Sequence, residues 1–142
     1  MSIMRIIQGR QHEIYSCSPH DSVRFAAGLL AEKRIGALPV LEGTAVAGIF
    51  SERDLLYAVA REGEAVLARE VHEVMTAPAI TIDPSVEVLS ALSLMTKRRV
   101  RHLPVVEDGR MLGFVSIGDL VKFRMESIEA EAKLMRDYIT LS

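Results

Sequence analysis

Apolar residues along this chain fall into short blocks separated by polar turn-formers, and the spacing within the blocks changes as the chain proceeds. Met1–Gly9 is half apolar and predicts a turn of helix lying against the body, after which Gly9–Glu13 is polar and turn-like. Ile14-Tyr15-Ser16-Cys17 is a brief β-prone run, stopped by Ser18-Pro19. Asp21-Ser22 then offers an N-cap for a helix over Val23–Lys33, with Phe25, Ala26, Leu29 and Leu30 as its apolar stripe. The apolar runs Ile35–Leu41 and Val46–Phe50 flank the turn Glu42-Gly43-Thr44 and predict an antiparallel hairpin. Ser51 caps a helix over Glu52–Arg61 that gathers Leu55, Leu56 and Val59 on one face. The order is strand, helix, strand, strand, helix. A charged break, Arg61-Glu62-Gly63-Glu64, leads into a helical stretch over Ala65–Met75. The same order then returns: strand Ala79–Ile82, turn Asp83-Pro84, a helix ending near Lys97, strands Val100–Val106 and Met111–Val115 about Glu107-Asp108-Gly109, and a helix from Ile117.

The recurrence holds residue by residue. An offset of 65 positions, that between Asp54 and Asp119, also pairs Pro19 with Pro84, Val23 with Val88, Leu38-Pro39 with Leu103-Pro104, Gly48 with Gly113 and Ser51 with Ser116. Only at the start of the second unit's first helix is a different register open, because Ser85-Val86 also matches Ser22-Val23. The period exceeds those of solenoids, and two copies cannot cap an array, so the chain is a pair of similar subdomains. The predicted division is a first unit over residues 10–62, a helical linker over 63–76, a second unit over 77–124 and a C-terminal amphipathic helix over 125–142. The final helix as a whole, from Ile117 to about Ile139, sets Phe123, Ile128, Leu134, Met135, Tyr138 and Ile139 on roughly one side, a surface for its own domain or for a second subunit.

At 142 residues, 49% of them hydrophobic, the chain has apolar side chains enough for a real core. A formal net charge of -2 gives no electrostatic footprint for nucleic acid, whose binding needs a concentrated basic face to displace counterions, so nucleic acid is disfavoured as a partner. No apolar run nears the roughly 20 residues needed to span a bilayer, and the first residues lack a signal-peptide pattern. Cys17 has no second cysteine to pair with and reads as a strand residue in a reducing compartment, so a cytoplasmic location is expected.

Candidate chemistry lies in the recurring Gly-x-x-Ser-x-x-Asp, Gly48–Asp54 and Gly113–Asp119. Ser-x-x-Asp is close to a capping box, in which the hydroxyl satisfies an orphan N–H and the acid complements the helix dipole. The same geometry presents N–H groups and a hydroxyl to a phosphate, while an Asp one turn into the helix can accept from both ribose hydroxyls. Arg101 and His102 are two cationic-capable neighbours where the first unit has Gly36-Ala37, so any two sites are chemically unequal. Arg53 either reaches a phosphate or pairs with a surface acid such as Glu52, and His12, His20 and His72 lie in polar surroundings as surface histidines. No nucleophile, acid-base pair or metal cluster is suggested, so neither catalysis nor a catalytic cofactor is expected.

Leu-Pro-Val after Ile35 or its counterpart after Val100, the two Gly-x-x-Ser-x-x-Asp segments and the linker ending Val71-His72-Glu73-Val74-Met75-Thr76 together resemble a stand-alone pair of CBS domains, named after cystathionine beta-synthase. The resemblance spans about Ile14–Phe123 and implies an α/β (α+β) fold, two β-α-β-β-α repeats packed about a pseudo-twofold axis with clefts that bind adenosyl nucleotides. It implies that Asp54 and Asp119 hold ribose hydroxyls, that Ser51 and Ser116 lie toward phosphates, and that Arg101 and His102 match phosphate-contacting positions. It further implies an adenine slot lined by Tyr15 or Ile80 and by Ile35 or Val100, and a disk-shaped homodimer. Two functions follow: a sensor that binds AMP, ATP or NAD(H) and signals to an effector protein, or a constitutive interaction module in which the Ser-x-x-Asp segments are only caps.

Overall fold

The structure, a computed structural model, describes residues 1–9 and 13–141. His12 and most of the turn expected over Gly9–Glu13 lie outside the described residues. Each repeat is built on an antiparallel hairpin: β1 (Ala37–Glu42) with β2 (Ala45–Ser51), and β3 (His102–Glu107) with β4 (Arg110–Ser116). Registers match at the 65-residue offset, down to a bulge between Val40 and Leu41 in one hairpin and between Val105 and Val106 in the other. Asp108 and Gly109 both take positive φ, which gives the tight turn a twist that suits its strands.

Helices α2 (Val23–Lys33) and α4 (Val88–Arg98) precede the hairpins, and α3 (Glu52–Glu62) and α5 (Ile117–Leu141) follow them. Ser22 caps α2 by accepting from the Phe25 amide, as its sequence predicts. The counterpart at the start of α4 is Glu87, so the ungapped register holds; Ser85 instead gives both its amide and its hydroxyl to Asp83.

The predicted strands at Ile14–Cys17 and Ala79–Ile82 contract to single parallel bridges, Cys17 on Val40 and Ile82 on Val105. In each, one residue spans the bulge: the Cys17 amide donates to the Pro39 carbonyl and its carbonyl accepts from Leu41, and Ile82 does the same between Pro104 and Val106. Pro19 and Pro84, two residues on, have no N–H with which to extend a ladder. Hairpin strands begin later than expected, leaving Ile35, Val100 and Arg101 just ahead of them. The linker is not one helix but two 3₁₀ turns, Gly63–Ala68 and Val71–Glu73, which bury Val66 and Val71.

Two cores result. One gathers Val23, Ala26, Leu38, Val40, Phe50 and Val71, and the other Val88, Ala91, Met95, Leu103, Val115 and Leu120. The second also takes Ile3 from α1 (Ile3–Gly9), so the segment ahead of the first repeat docks on the second repeat. The linker docks reciprocally on the first repeat, where Thr76 exchanges two backbone hydrogen bonds with Ile49. The two glycines of the recurring segment make this possible. A Cβ on Gly48 would come within 2.7 Å of the Thr76 carbonyl oxygen, and one on Gly113 within 2.9 Å of the Ile7 side chain. Between the repeats β2 meets its own counterpart β4, the contact that a twofold relation generates.

Leu120 and the half-buried Phe123 pack α5 on the second core and Ser127 touches Met1, beyond which the helix is largely exposed: Leu134 is 70% and Tyr138 71% exposed. No helix among the described residues is long and apolar enough to cross a membrane.

Candidate functional site

Both Ser-x-x-Asp segments form the reciprocal cap that their spacing predicts. At the start of α3 the Asp54 amide donates to Ser51 Oγ (3.2 Å), and Asp54 Oδ2 accepts from the Ser51 amide (2.9 Å) and hydroxyl (3.0 Å). At the start of α5 the Asp119 amide donates to Ser116 Oγ (3.1 Å) and Asp119 Oδ2 accepts from the Ser116 amide (2.8 Å). Capping fixes each carboxylate one turn inside a helix N-terminus, where orphan amides favour negative charge. The surroundings then differ, because Asp54 Oδ1 also accepts from the hydroxyl of Thr76 on the linker (2.8 Å).

The Asp119 end opens on a cavity of about 480 Å³ between the repeats. Tyr15 and Ile35 line it from the first repeat, and His102, Ser116 and Asp119 from the second. Its apolar wall belongs to segments that also pack on the first core, with Lys33 Nζ lying 4.9 Å from the centre of the Tyr15 ring. Opposite, the half-buried His102 ring stacks on Phe114 with centroids 5.5 Å apart and planes 14° from parallel. Burial pushes the His102 imidazole below its ordinary pKa; the carboxylates of Asp119 and Glu52 oppose that shift and Arg101 adds to it.

Gly36 and Ala37 share this cavity with His102, which gives the small pair a structural reason. A Cβ on Gly36 would lie 3.0 Å from Glu52 Oε1 and 3.5 Å from His102 Cε1, so a side chain there would narrow the mouth. Four further lining residues escaped the sequence reading: Glu13, Ile14, Arg34 and Phe114. Phe114 is indistinguishable from a core residue in an apolar strand, and Arg34 reaches the site only because it closes α2 in the left-handed conformation at φ 54°. Nothing local in the sequence marks either one.

The other expected residues lie elsewhere. Ser51, Asp54, Ile80, Val100 and Arg101 are the 65-residue counterparts of Ser116, Asp119, Tyr15, Ile35 and Gly36, and so belong to the pseudo-equivalent side of the molecule. There Ile80 and Val100 pack on the second core, Arg101 is exposed, and Thr76 rests on Asp54. Arg53 is exposed on the first turn of α3, outside the cavity, and the counterpart of Arg53 is Gly118.

Two hairpin repeats with reciprocally docked lead-in segments, and a cleft closed by a capped helix N-terminus, define a tandem domain pair. The chain belongs to the CBS domain family, whose model matches residues 10–61 and 71–126. It is similar to the mitochondrial CBS domain-containing protein CBSX3 of Arabidopsis thaliana, with 37% identity over 87% of this chain; it spans 62% of that relative's length. Its backbone is similar to that of a CBS-domain-containing protein from Agrobacterium tumefaciens (TM-score 0.81, 36% identity, covering 87% of this chain and 99% of that one). It is also similar to CBSX2 in a crystal structure containing AMP (TM-score 0.76, 27% identity, covering 88% and 96%).

Proposed function

We propose that the chain is a regulatory module without chemistry of its own, which binds an adenosyl nucleotide in the cleft between its repeats. The observation that carries this reading is the cavity of about 480 Å³ ending on Ser116 and Asp119, a volume within the roughly 300–1,000 Å³ of small-molecule sites. In this reading adenine enters the apolar slot beside Tyr15 and Ile35, and Asp119 accepts from the ribose hydroxyls. Phosphate meets Ser116, the N-terminus of α5 and His102, while Arg101 belongs with the second cleft. The AMP in CBSX2 supports the ligand class. Ser51 and Asp54, with Ile80 and Val100, are the corresponding groups of a second cleft, and Arg53 is a surface residue near its phosphate side. Binding between two repeats alters the balance between their relative orientations, which a homodimer partner or an effector protein then senses. A buried Cys17, its thiol pushed up to about 12 by burial and then by Asp21, suits the reducing cytoplasm.

A thermal-shift panel of AMP, ADP, ATP, NAD+, NADH and S-adenosylmethionine tests the reading and selects the ligand. At 100 times its dissociation constant a ligand adds about 2.7 kcal/mol, a rise on the order of several degrees for a domain of this size. Asp119→Ala is expected to remove the rise while costing the free protein only about 1 kcal/mol of capping. If no panel member raises the midpoint, the nucleotide reading fails and the bare face of α5 becomes the working surface of a constitutive interaction module.

A further inference from the structure

Away from the cleft, the fold brings together three ligating side chains that the sequence separates. His20 lies in the turn ahead of α2, and Glu70 and His72 flank Val71 at the second 3₁₀ turn of the linker. His72 Nε2 is 2.6 Å from Glu70 Oε2, His20 Nδ1 is 3.5 Å from the same oxygen, and all three donor atoms lie within 4.8 Å of one another. The backbone pins the two segments together: Val23 N–H donates to the Arg69 carbonyl (2.8 Å), Val71 N–H to that of Asp21 (2.8 Å) and His72 N–H to that of Pro19 (3.0 Å). Val71, between the two linker ligands, is fully buried in the first core. The neighbouring Arg69 is held by Glu62 and Glu73.

We propose that His20, Glu70 and His72 form a transition-metal site that takes Zn²⁺ through two imidazole nitrogens and one carboxylate oxygen, with water completing the coordination. Two histidines and a glutamate are a recognised ligand set for a four-coordinate zinc site with an open position. Mg²⁺ and Ca²⁺ favour all-oxygen shells, which this cluster does not supply. Tetrahedral bonds of about 2.0–2.1 Å would set donor atoms about 3.3 Å apart. The 3.5 Å pair already meets that spacing, the 2.6 Å pair opens slightly, and the remaining distance closes by rotation of exposed rings. The 65-residue counterparts of the three ligands are Ser85, Met135 and Asp137, so the site exists once per chain. A metal there staples the linker to the first repeat, a role beyond nucleotide binding in the cleft.

The test is titration of the untagged full chain, stripped by chelator, first with Co²⁺ and then with Zn²⁺. One Co²⁺ per chain is expected, with the visible absorption of a low-coordinate nitrogen and oxygen site, displaced by one Zn²⁺, and the melting midpoint rises with Zn²⁺. Loss of a mere second-shell partner weakens metal binding by about 10- to 100-fold, so His20→Ala, Glu70→Gln and His72→Ala each raise the dissociation constant by at least about tenfold. All three alter exposed or half-buried side chains, and circular dichroism verifies that each variant is folded. Absence of stoichiometric binding at micromolar metal, or unchanged affinity in any one of the three variants, overturns the three-ligand site.

Discussion

Asp54 and Asp119 were legible in the sequence because their spacing from a serine recurs at one offset and matches that of a capping box. His102 was legible only as a polar residue in an apolar run; its placement over Phe114 depends on a strand pairing that no local pattern reveals. That burial has a measurable consequence. The native imidazole binds its proton less readily than the unfolded chain, whose histidines titrate near 6.5. Its contribution to stability is therefore complete above about pH 6.5 and is lost as pH falls through the lower native value. Asp119 and Glu52 face the ring and moderate the effect, Arg101 enlarges it, and Arg34 and Glu13 line the same cavity. In melts between about pH 7 and pH 5, His102→Phe, which keeps an aromatic ring over Phe114, is expected to lose less of its midpoint than the unaltered chain. In the proposed nucleotide reading a bound phosphate reverses the sign: AMP is expected to bind with uptake of a proton near neutral pH, an uptake that should disappear in His102→Phe. Calorimetry in buffers of different ionisation enthalpy measures it, and zero uptake in the unaltered chain would place the phosphate away from His102.

At the scale of elements, hairpins, caps and helices follow from alternation, turn residues and the repeat. The lead-in strands do not, because a run such as Ile14–Cys17 has strand composition but meets only the bulged residue of its neighbour before Pro19 ends the pairing. Nor was the linker's form legible: Leu67, Val71 and Val74 have helical spacing, yet Val66 and Val71 are each buried by a separate 3₁₀ turn. Reciprocal docking of the lead-ins was also hidden, although the glycines that permit it stood in the recurring segment. They are not equivalent in what they face. A Cβ on Gly48 meets the Thr76 backbone at 2.7 Å, whereas one on Gly113 meets only the Ile7 side chain at 2.9 Å. A side chain yields more cheaply than a paired backbone, so Gly48→Ala is expected to cost about 1–3 kcal/mol, in the range of overpacked cores, and Gly113→Ala less. Chemical denaturation of the two variants gives the order; equal losses would mean that the linker is not clamped at Thr76.

The whole molecule carries an apolar surface that its described residues leave exposed. Phe123 is the last residue of α5 packed on a core, and after it Ile128, Leu134, Met135, Tyr138 and Ile139 are all exposed on a helix that runs to Leu141. Leu56 of α3 and its counterpart Val121 of α5 are exposed as well, so each repeat carries an exposed apolar position at the matching site. The cost of hydrating such a surface favours association of two copies, with the same patch on each meeting about a twofold axis. Light scattering is accordingly expected to give a mass twice the 15.7 kDa of one chain. Ile128→Lys combined with Tyr138→Lys, which places two charges on that side, is expected to return the mass to that of a single chain. A single chain supplies Tyr15, Ile35, His102, Ser116 and Asp119 to the cleft, so the separated variant is expected to bind AMP with a dissociation constant within about threefold of the dimer's, a change of only ~0.7 kcal/mol. A monomeric mass for the unaltered chain would leave the α5 face to a different partner, while loss of AMP binding on separation would mean that subunit association itself shapes the cleft.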